Sequence, residues 1–371
     1  MFFNDHKIMK KIKSILMAAV LFSIMLAATS CDDNFIYEQG EDCFPKVQFI
    51  LKKHRQALNQ IEGRETDVFY STVESVHLFV YDADTDELVY EKTEKTENLE
   101  TARELKLGEG TDRCYMDIDL RPGKYRFVAW CGLDETDNNN AFELSNDTSR
   151  AGYKHCRVKK GADGNPLSSE KYDALYHGKL DEFEIIIEKA IQVIPIELTK
   201  NTNEINVWVQ HTTHTFEKGD YEVVYVDRNG EMHFDDNSMT SPDRLNYRSY
   251  QTSILTSDTE YNGNQVQTGA LVGHISTARL MDAHKNDARL EVRDKEGNAV
   301  YSVPFIKYVL QMQTYVNGES RASSARDYQY YLDCEDTYNC TFYLSGEDGN
   351  WSPSRIIINN WVVVPGQSDS L

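Results

Sequence analysis

The chain has 371 residues, 39 basic against 60 acidic side chains, and a formal charge of −21. That length is long for one hydrophobic core and comfortable for two domains. So large an acid excess excludes nucleic acid, and phosphate-rich surfaces generally, as partners held through the net field. In chain order, Lys7, Lys10, Lys11 and Lys13 form a basic patch, followed by an uncharged apolar run from Ile15 to Ala28. At about 14 residues the run is too short to span a ~30 Å hydrocarbon core comfortably. Basic flank, short apolar stretch and small residues before a cut site read as a signal peptide over residues 1–30.

The segment Leu26-Ala27-Ala28-Thr29-Ser30-Cys31 resembles a bacterial lipobox, with Ala28 where a leucine is usual. The expectation is a lipoprotein acylated on Cys31 with palmitate-type chains, the alternative an ordinary secretory signal with a chance cysteine. Acyl chains contribute ~0.8 kcal/mol per buried CH₂, enough together to anchor a chain without a transmembrane helix. Residues 31–44 then read as a lipidated, acidic tether. Removing residues 1–30 takes away four lysines and Asp5, so the formal charge becomes −24.

Beyond the tether the pattern is mostly strands. Val47–Leu51 opens it; Val76–Tyr81 and Leu88–Tyr90 flank the acidic turn 82–87 as a hairpin. Met116, Ile118 and Leu120 alternate with Asp117 and Asp119, the period of a half-buried strand, and Arg121–Lys124 turns into Tyr125–Trp130. Residues 134–170 read as a long polar loop region. A second set of strands is expected to start near Ile191. Ile205, Val207 and Val209 alternate with Asn206, Trp208 and Gln210, and Tyr221–Val226 with Glu231–Phe234 suggests a hairpin through Asn229-Gly230. Leu290–Val292 with Val300–Val303 suggests another, and Cys340–Leu344 and Ile356–Val364 close the chain. An amphipathic helix is predicted over 305–316 and a second over 324–333. Many short strands with few helices predict a mainly β protein of two stacked sandwich domains, 45–189 and 190–371.

Six cysteines follow Cys31: Cys43, Cys114, Cys131, Cys156, Cys334 and Cys340. Six allow fifteen pairings, and a mixture of buried thiols with one or two bridges is expected. Asp82-Ala83-Asp84-Thr85-Asp86 lacks the glycine and the closing glutamate of a calcium loop and reads as a solvated turn. His211 and His214 would lie on opposite faces of a strand and lack the zinc-protease glutamate. No nucleophile elbow, phosphate loop or dinucleotide fingerprint is present, so neither an enzyme nor a cofactor or metal is expected. Aromatics such as Tyr70, Tyr81, Tyr330, Tyr331, Trp351 and Trp361 suit core packing, with glycan contact the alternative.

The stretches Cys31–Tyr37 with Asp42-Cys43, Val76–Asp82, Leu120–Tyr125, Ile275–Leu280, Pro304–Leu310, Tyr331–Asp333, Phe342–Leu344 and Ile358–Val363 carry a resemblance in that order. Together they resemble the FimB-type (fimbrillin-A-associated) anchor and accessory subunits of type V fimbriae of Gram-negative anaerobes. The resemblance implies two tandem transthyretin-like Greek-key β-sandwiches, the second with one or two short helices. It also implies a surface-exposed protein held in the outer membrane by its lipid, partnered with fimbrial shaft or accessory subunits through strand exchange. By the same resemblance, Ile356–Val364 is a candidate donor strand, the alternative being that it closes the second sandwich. Arg55 and Arg64 are where an arginine-specific protease would release a tip or minor shaft subunit; an anchor would keep its tether. A surface lipoprotein binding glycan or host protein is the competing reading.

Overall fold

The computed structural model describes residues 44–51, 58–61, 64–67, 69–101, 114–133, 141–147, 153–168, 170–186, 191–212, 215–239, 243–261, 264–311, 328–346 and 351–363. One compact unit, Pro45–Ile187 with Gln192–Leu371, carries the strands. They are β1 (Lys46–Leu51), β2 (Leu58–Ile61), β3 (Arg64–Asp67), β4 (Ser75–Asp82), β5 (Leu88–Lys95), β6 (Glu100–Thr101), β7 (Cys114–Asp117), β8 (Gly123–Cys131), β9 (Phe142–Asp147), β10 (Tyr153–Val158), β11 (Tyr176–Ile185) and β12 (Val193–Lys200). There follow β13 (Thr202–His211), β14 (Tyr221–Asp227), β15 (Glu231–His233), β16 (Leu245–Arg248), β17 (Gln251–Tyr261), β18 (Asn264–Ala278), β19 (Arg289–Asp294), β20 (Ala299–Val303), β21 (Thr337–Ser345), β22 (Ser352–Ile358) and β23 (Trp361–Val363).

The first sheet runs β5-β4-β8-β11-β12-β1-β7-β6. Leu78, Phe127 and Ala129 of β4 and β8 share one core with Val47, Phe49 and Met116 of β1 and β7. Strands from both ends of the order meet there, so the sheet folds over its own core. The bend falls where β11 meets β12: only Tyr176–Gly178 pairs with Leu198–Lys200. A Cβ on Gly178 would lie 2.6 Å from Ile196 Cγ2 and 2.8 Å from the Glu197 carbonyl, so only glycine fits that approach. Lys46, 2% exposed, forms ion pairs with Glu100 and Asp117, fastening β1 to β6 and β7. The opposite face is buried too: Phe79, Val128 and Trp130 point into a second core. That is why β4 reads as a continuous apolar run rather than an alternation.

The second half is a sandwich of a six-stranded sheet, β17-β18-β13-β21-β22-β23, and a four-stranded sheet, β16-β14-β19-β20. Ile205, Val207, Val209 and Phe342 from one sheet meet Val223, Tyr225, Leu290 and Val292 from the other. A short helix, Phe305–Gln311, buries Phe305, Ile306, Val309 and Leu310 against this core, and Tyr328–Asp333 forms another. Arg279 donates Nε and Nη2 to the two carboxylate oxygens of Asp333 at 2.7 and 2.6 Å, a buried fork that fixes the latter helix to the end of β18.

Joining the halves, β10 pairs with β9 on one side and with β15 on the other, His155 facing His233 and Cys156 facing Met232. Beside this shared sheet the Phe234 carbonyl accepts hydrogen bonds from Trp130 Nε1 and His177 Nε2, both at 3.1 Å. The Phe234 ring meets Phe79 edge-on at 4.8 Å. Buried Asn201 and Asn237 exchange reciprocal amide hydrogen bonds at 2.8 Å. Asn237 sits at φ 59, a left-handed conformation that asparagine tolerates better than most residues.

Several expectations need correction. Residues 134–170 contain β9 and β10 and are not simply loop. The strand expected to open the second set, Val193–Lys200, instead completes the first sheet, parallel to β1. Asn229-Gly230 does not close a hairpin: β14 pairs with β16 and β19, whereas β15 pairs with β10. Asn229 is fully buried, and its Nδ2 donates to Ala278 O and Arg279 O, so the turn carries the chain between sheets. Ile356–Val363 holds two strands, not one, turning at Asn359 (φ 46) and Asn360 (φ 69). No bridge forms among Cys131, Cys156 and Cys340, which are buried thiols. Burial pushes the Cys131, Cys156 and Cys340 thiols well up.

Candidate functional site

Cys31, Cys43, Arg55 and His214 lie outside the described residues. Arg64 opens β3, with Ile61 opposite in β2. Among the described residues, no helix is long and apolar enough to cross a membrane, and no cluster of His, Cys, Asp and Glu is arranged to hold a metal.

The acidic turn after β4 is held locally. Asp82 Oδ1 accepts from the Asp84 and Thr85 backbone amides at 3.0 and 2.9 Å and from the Thr85 hydroxyl. Those bonds hold its carboxyl below the ordinary range, the Thr85 amide contributing most. His211 is buried, its ring 4.9 Å from that of Trp351. The aromatics noted in the sequence do not converge. Tyr331 and Trp351 are core, and Tyr81 lies under Arg126 at 4.2 Å. Tyr330 and Trp361 are exposed on different elements.

What the molecule presents is strand edges and one sheet face. In the first sheet β6 has two residues and β5 carries Glu91, Lys92, Glu94 and Lys95, so both edges are blunted against pairing. In the six-stranded sheet β23 has three residues. At the other edge β17 has eleven, and from Gln251 to Ser257 none is charged. Its pairing with β18 runs on to Tyr261 and Asn264, past the last residue that β13 covers, Ala270. The candidate donor Ile356–Val364 is engaged within its own sheet: Ile356 and Ile358 are fully buried opposite Phe342 and Cys340. No apolar alternation marks β17, rich in serine and threonine, so its pairing with β18 alone defines it. Trp208, by contrast, was already placed on the outer face by the alternation of β13.

Sandwich domains with a long edge strand define a mainly β class of protein. The chain belongs to the family of fimbrillin-A associated anchor proteins Mfa1 and Mfa2, whose profile matches residues 41–365. Three solved structures share the fold. A candidate adhesin from Bacteroides thetaiotaomicron is 22% identical, with a TM-score of 0.65 over 86% of this chain and 98% of that one. A protein from the same organism, described as a candidate polysaccharide-binding protein, is 20% identical, with a TM-score of 0.62 over 88% and 99%. The fimbrial anchor protein Mfa2 from Porphyromonas gingivalis is 15% identical, with a TM-score of 0.54 over 86% and 99%. No curated protein matches the chain.

Proposed function

We propose that this protein is a surface-exposed lipoprotein, held in the outer membrane by acylated Cys31, that tethers fimbrial shaft or accessory subunits through strand-exchange-type contacts. The observation that carries the reading is the family match across residues 41–365. Two sandwich domains form its body, the first ending at Lys200 and the second starting at Thr202, where the chain passes between sheets. Its own C-terminal strands are used internally, so the edge position of β17 supports the role of acceptor for one further strand. An uncut chain also keeps β1 between β12 and β7, so tether and body stay covalently one piece.

Intact-mass and N-terminal analysis of the protein from native outer membranes tests this. An acylated Cys31 at the start of an uncut chain is the expected result. A lipid-free start after Arg55 or Arg64 would make the chain a polymerising subunit instead. An unmodified start near Cys31 would remove the lipid anchor.

A further inference from the structure

The outer face of the six-stranded sheet carries a feature that tethering does not use. On β13 the side chains alternate strictly: Ile205, Val207 and Val209 are fully buried, and Asn206, Trp208 and Gln210 face out. Trp208 stands in the middle of that face, opposite Val272 of β18 and beside Thr341 of β21, and is 42% exposed. Leaving so large an apolar ring partly in water is unfavourable, on a face where polar residues are the rule.

The groups next to it are fixed. Asn206, two positions along the strand and so about 7 Å away, donates its amide to Asn339 Oδ1 at 3.1 Å. Its own carbonyl oxygen meets His274 Nδ1 at 2.6 Å. The Tyr250 ring leans on His274 at 6.1 Å between centroids, and its hydroxyl is held by Glu204 at 2.9 Å. This makes an aromatic and amide ledge at one end of a floor in which Ala270 and Val272 are themselves covered. Beyond Glu204, the outward positions beside Trp208 on β18, β13 and β21 are Ala270, Val272, Gln210, Thr341 and Tyr343, and Arg355 on β22 is the one formal charge. Glu204, the carboxylate at the ledge, is paired with Lys171 at 2.5 Å, so in a protein of charge −21 this face carries no net negative charge and suits an uncharged partner.

We propose that this face binds a neutral saccharide, the apolar C–H face of one pyranose ring lying on Trp208 and its hydroxyls engaging the fixed amides of Asn206 and Asn339. A flat indole offers area at low entropy cost, and amides that are already oriented need no ordering on binding. The ligand is small, neutral and polyhydroxylated, which matches one aromatic ring set among amides and hydroxyls. Trp208 lies two strands in from β17, across Val272 from Ser253, so a change at Trp208 reads saccharide binding without altering the edge proposed for tethering.

The test uses the full mature chain in detergent with glucose, mannose and galactose hexaoses as probes, read by calorimetry and tryptophan fluorescence. Binding of at least one probe is expected, with Trp208→Ala weakening it about tenfold or more and Trp208→Phe keeping part of it. Trp361→Ala, which removes a comparably exposed indole at the sheet edge, should leave it unchanged. Failure of all three probes, or equal loss in the two alanine variants, overturns the proposal. So does self-association of the chain that Trp208→Ala abolishes, which would assign the face to a second copy.

Discussion

Two histidines in the second half and at the junction respond to pH in opposite directions. His284 Nδ1 lies 2.7 Å from Oδ1 of Asp227, a carboxylate with no exposed surface. That hydrogen bond, working against burial, raises the imidazole above its ordinary value. A raised histidine contributes stability fully present below its unfolded pKa of about 6.5 and lost as pH rises through the folded value. The stability gap between wild type and His284→Gln in urea titrations should therefore narrow as pH rises above about 6.5. His177 is the reverse case. Burial drives it down to about 3, so it stays neutral while it donates to Phe234 O. The unfolded chain takes up the proton first, and stability is lost as pH falls below about 6.5. A His177→Gln chain should lose less stability between about pH 7 and about pH 4 than wild type does, again by urea midpoint. The thiols give a simpler check. Cys131, Cys156 and Cys340 are buried thiols with raised pKa, so iodoacetamide should label these three only after denaturation.

At the scale of single elements, the long edge β17 is the place where assembly and stability separate. Replacing Ser253 and Leu255 by lysine puts charge where an added strand would lie, on residues that are half-exposed and 45% exposed. Surface changes of that kind shift stability by about 0.5 kcal/mol or less, so the urea midpoint should hold while retention of fimbriae at the cell surface falls. The turn before β23 offers the opposite kind of change. Asn359 and Asn360 both have positive φ, the requirement of the tight turn in which Asn-Gly is favoured. Asn360→Gly should therefore stabilise by a few tenths of a kcal/mol up to about 1. These elements also show what the sequence could tell. Hairpins closed by their own turns, β4–β5 and β19–β20, were legible because acidic or glycine turns sit between apolar runs. Asn229-Gly230 misled because its side chain is consumed by the carbonyls of Ala278 and Arg279, a demand set by residues nearly fifty positions away. The polar strands β9, β10 and β17 were missed because they lie at or near sheet edges, where hydrophobic periodicity is weak and pairing alone defines the strand.

For the molecule as a whole, the position of β1 ties the proposed N-terminal tether to the stability of the body. It is a central strand, parallel to β12 and antiparallel to β7, and its Val47, Phe49 and Leu51 are 0%, 0% and 5% exposed. Each such side chain contributes about 1.5–3 kcal/mol on burial, so their joint loss is comparable with the ~5–15 kcal/mol that keeps a whole protein folded. Lys46 adds a further cost, since removing it leaves the Glu100 and Asp117 carboxylates of β6 and β7 without their shared cation. A chain starting after Arg55 should therefore unfold at far lower urea than the chain starting at Cys31, or fail to fold alone. Adding a synthetic peptide of residues 45–52 should restore much of the difference, because the vacated slot offers backbone groups to both neighbours. A shortened chain as stable as the full one would show that β1 is dispensable, and would remove the physical argument that the body must keep its tether.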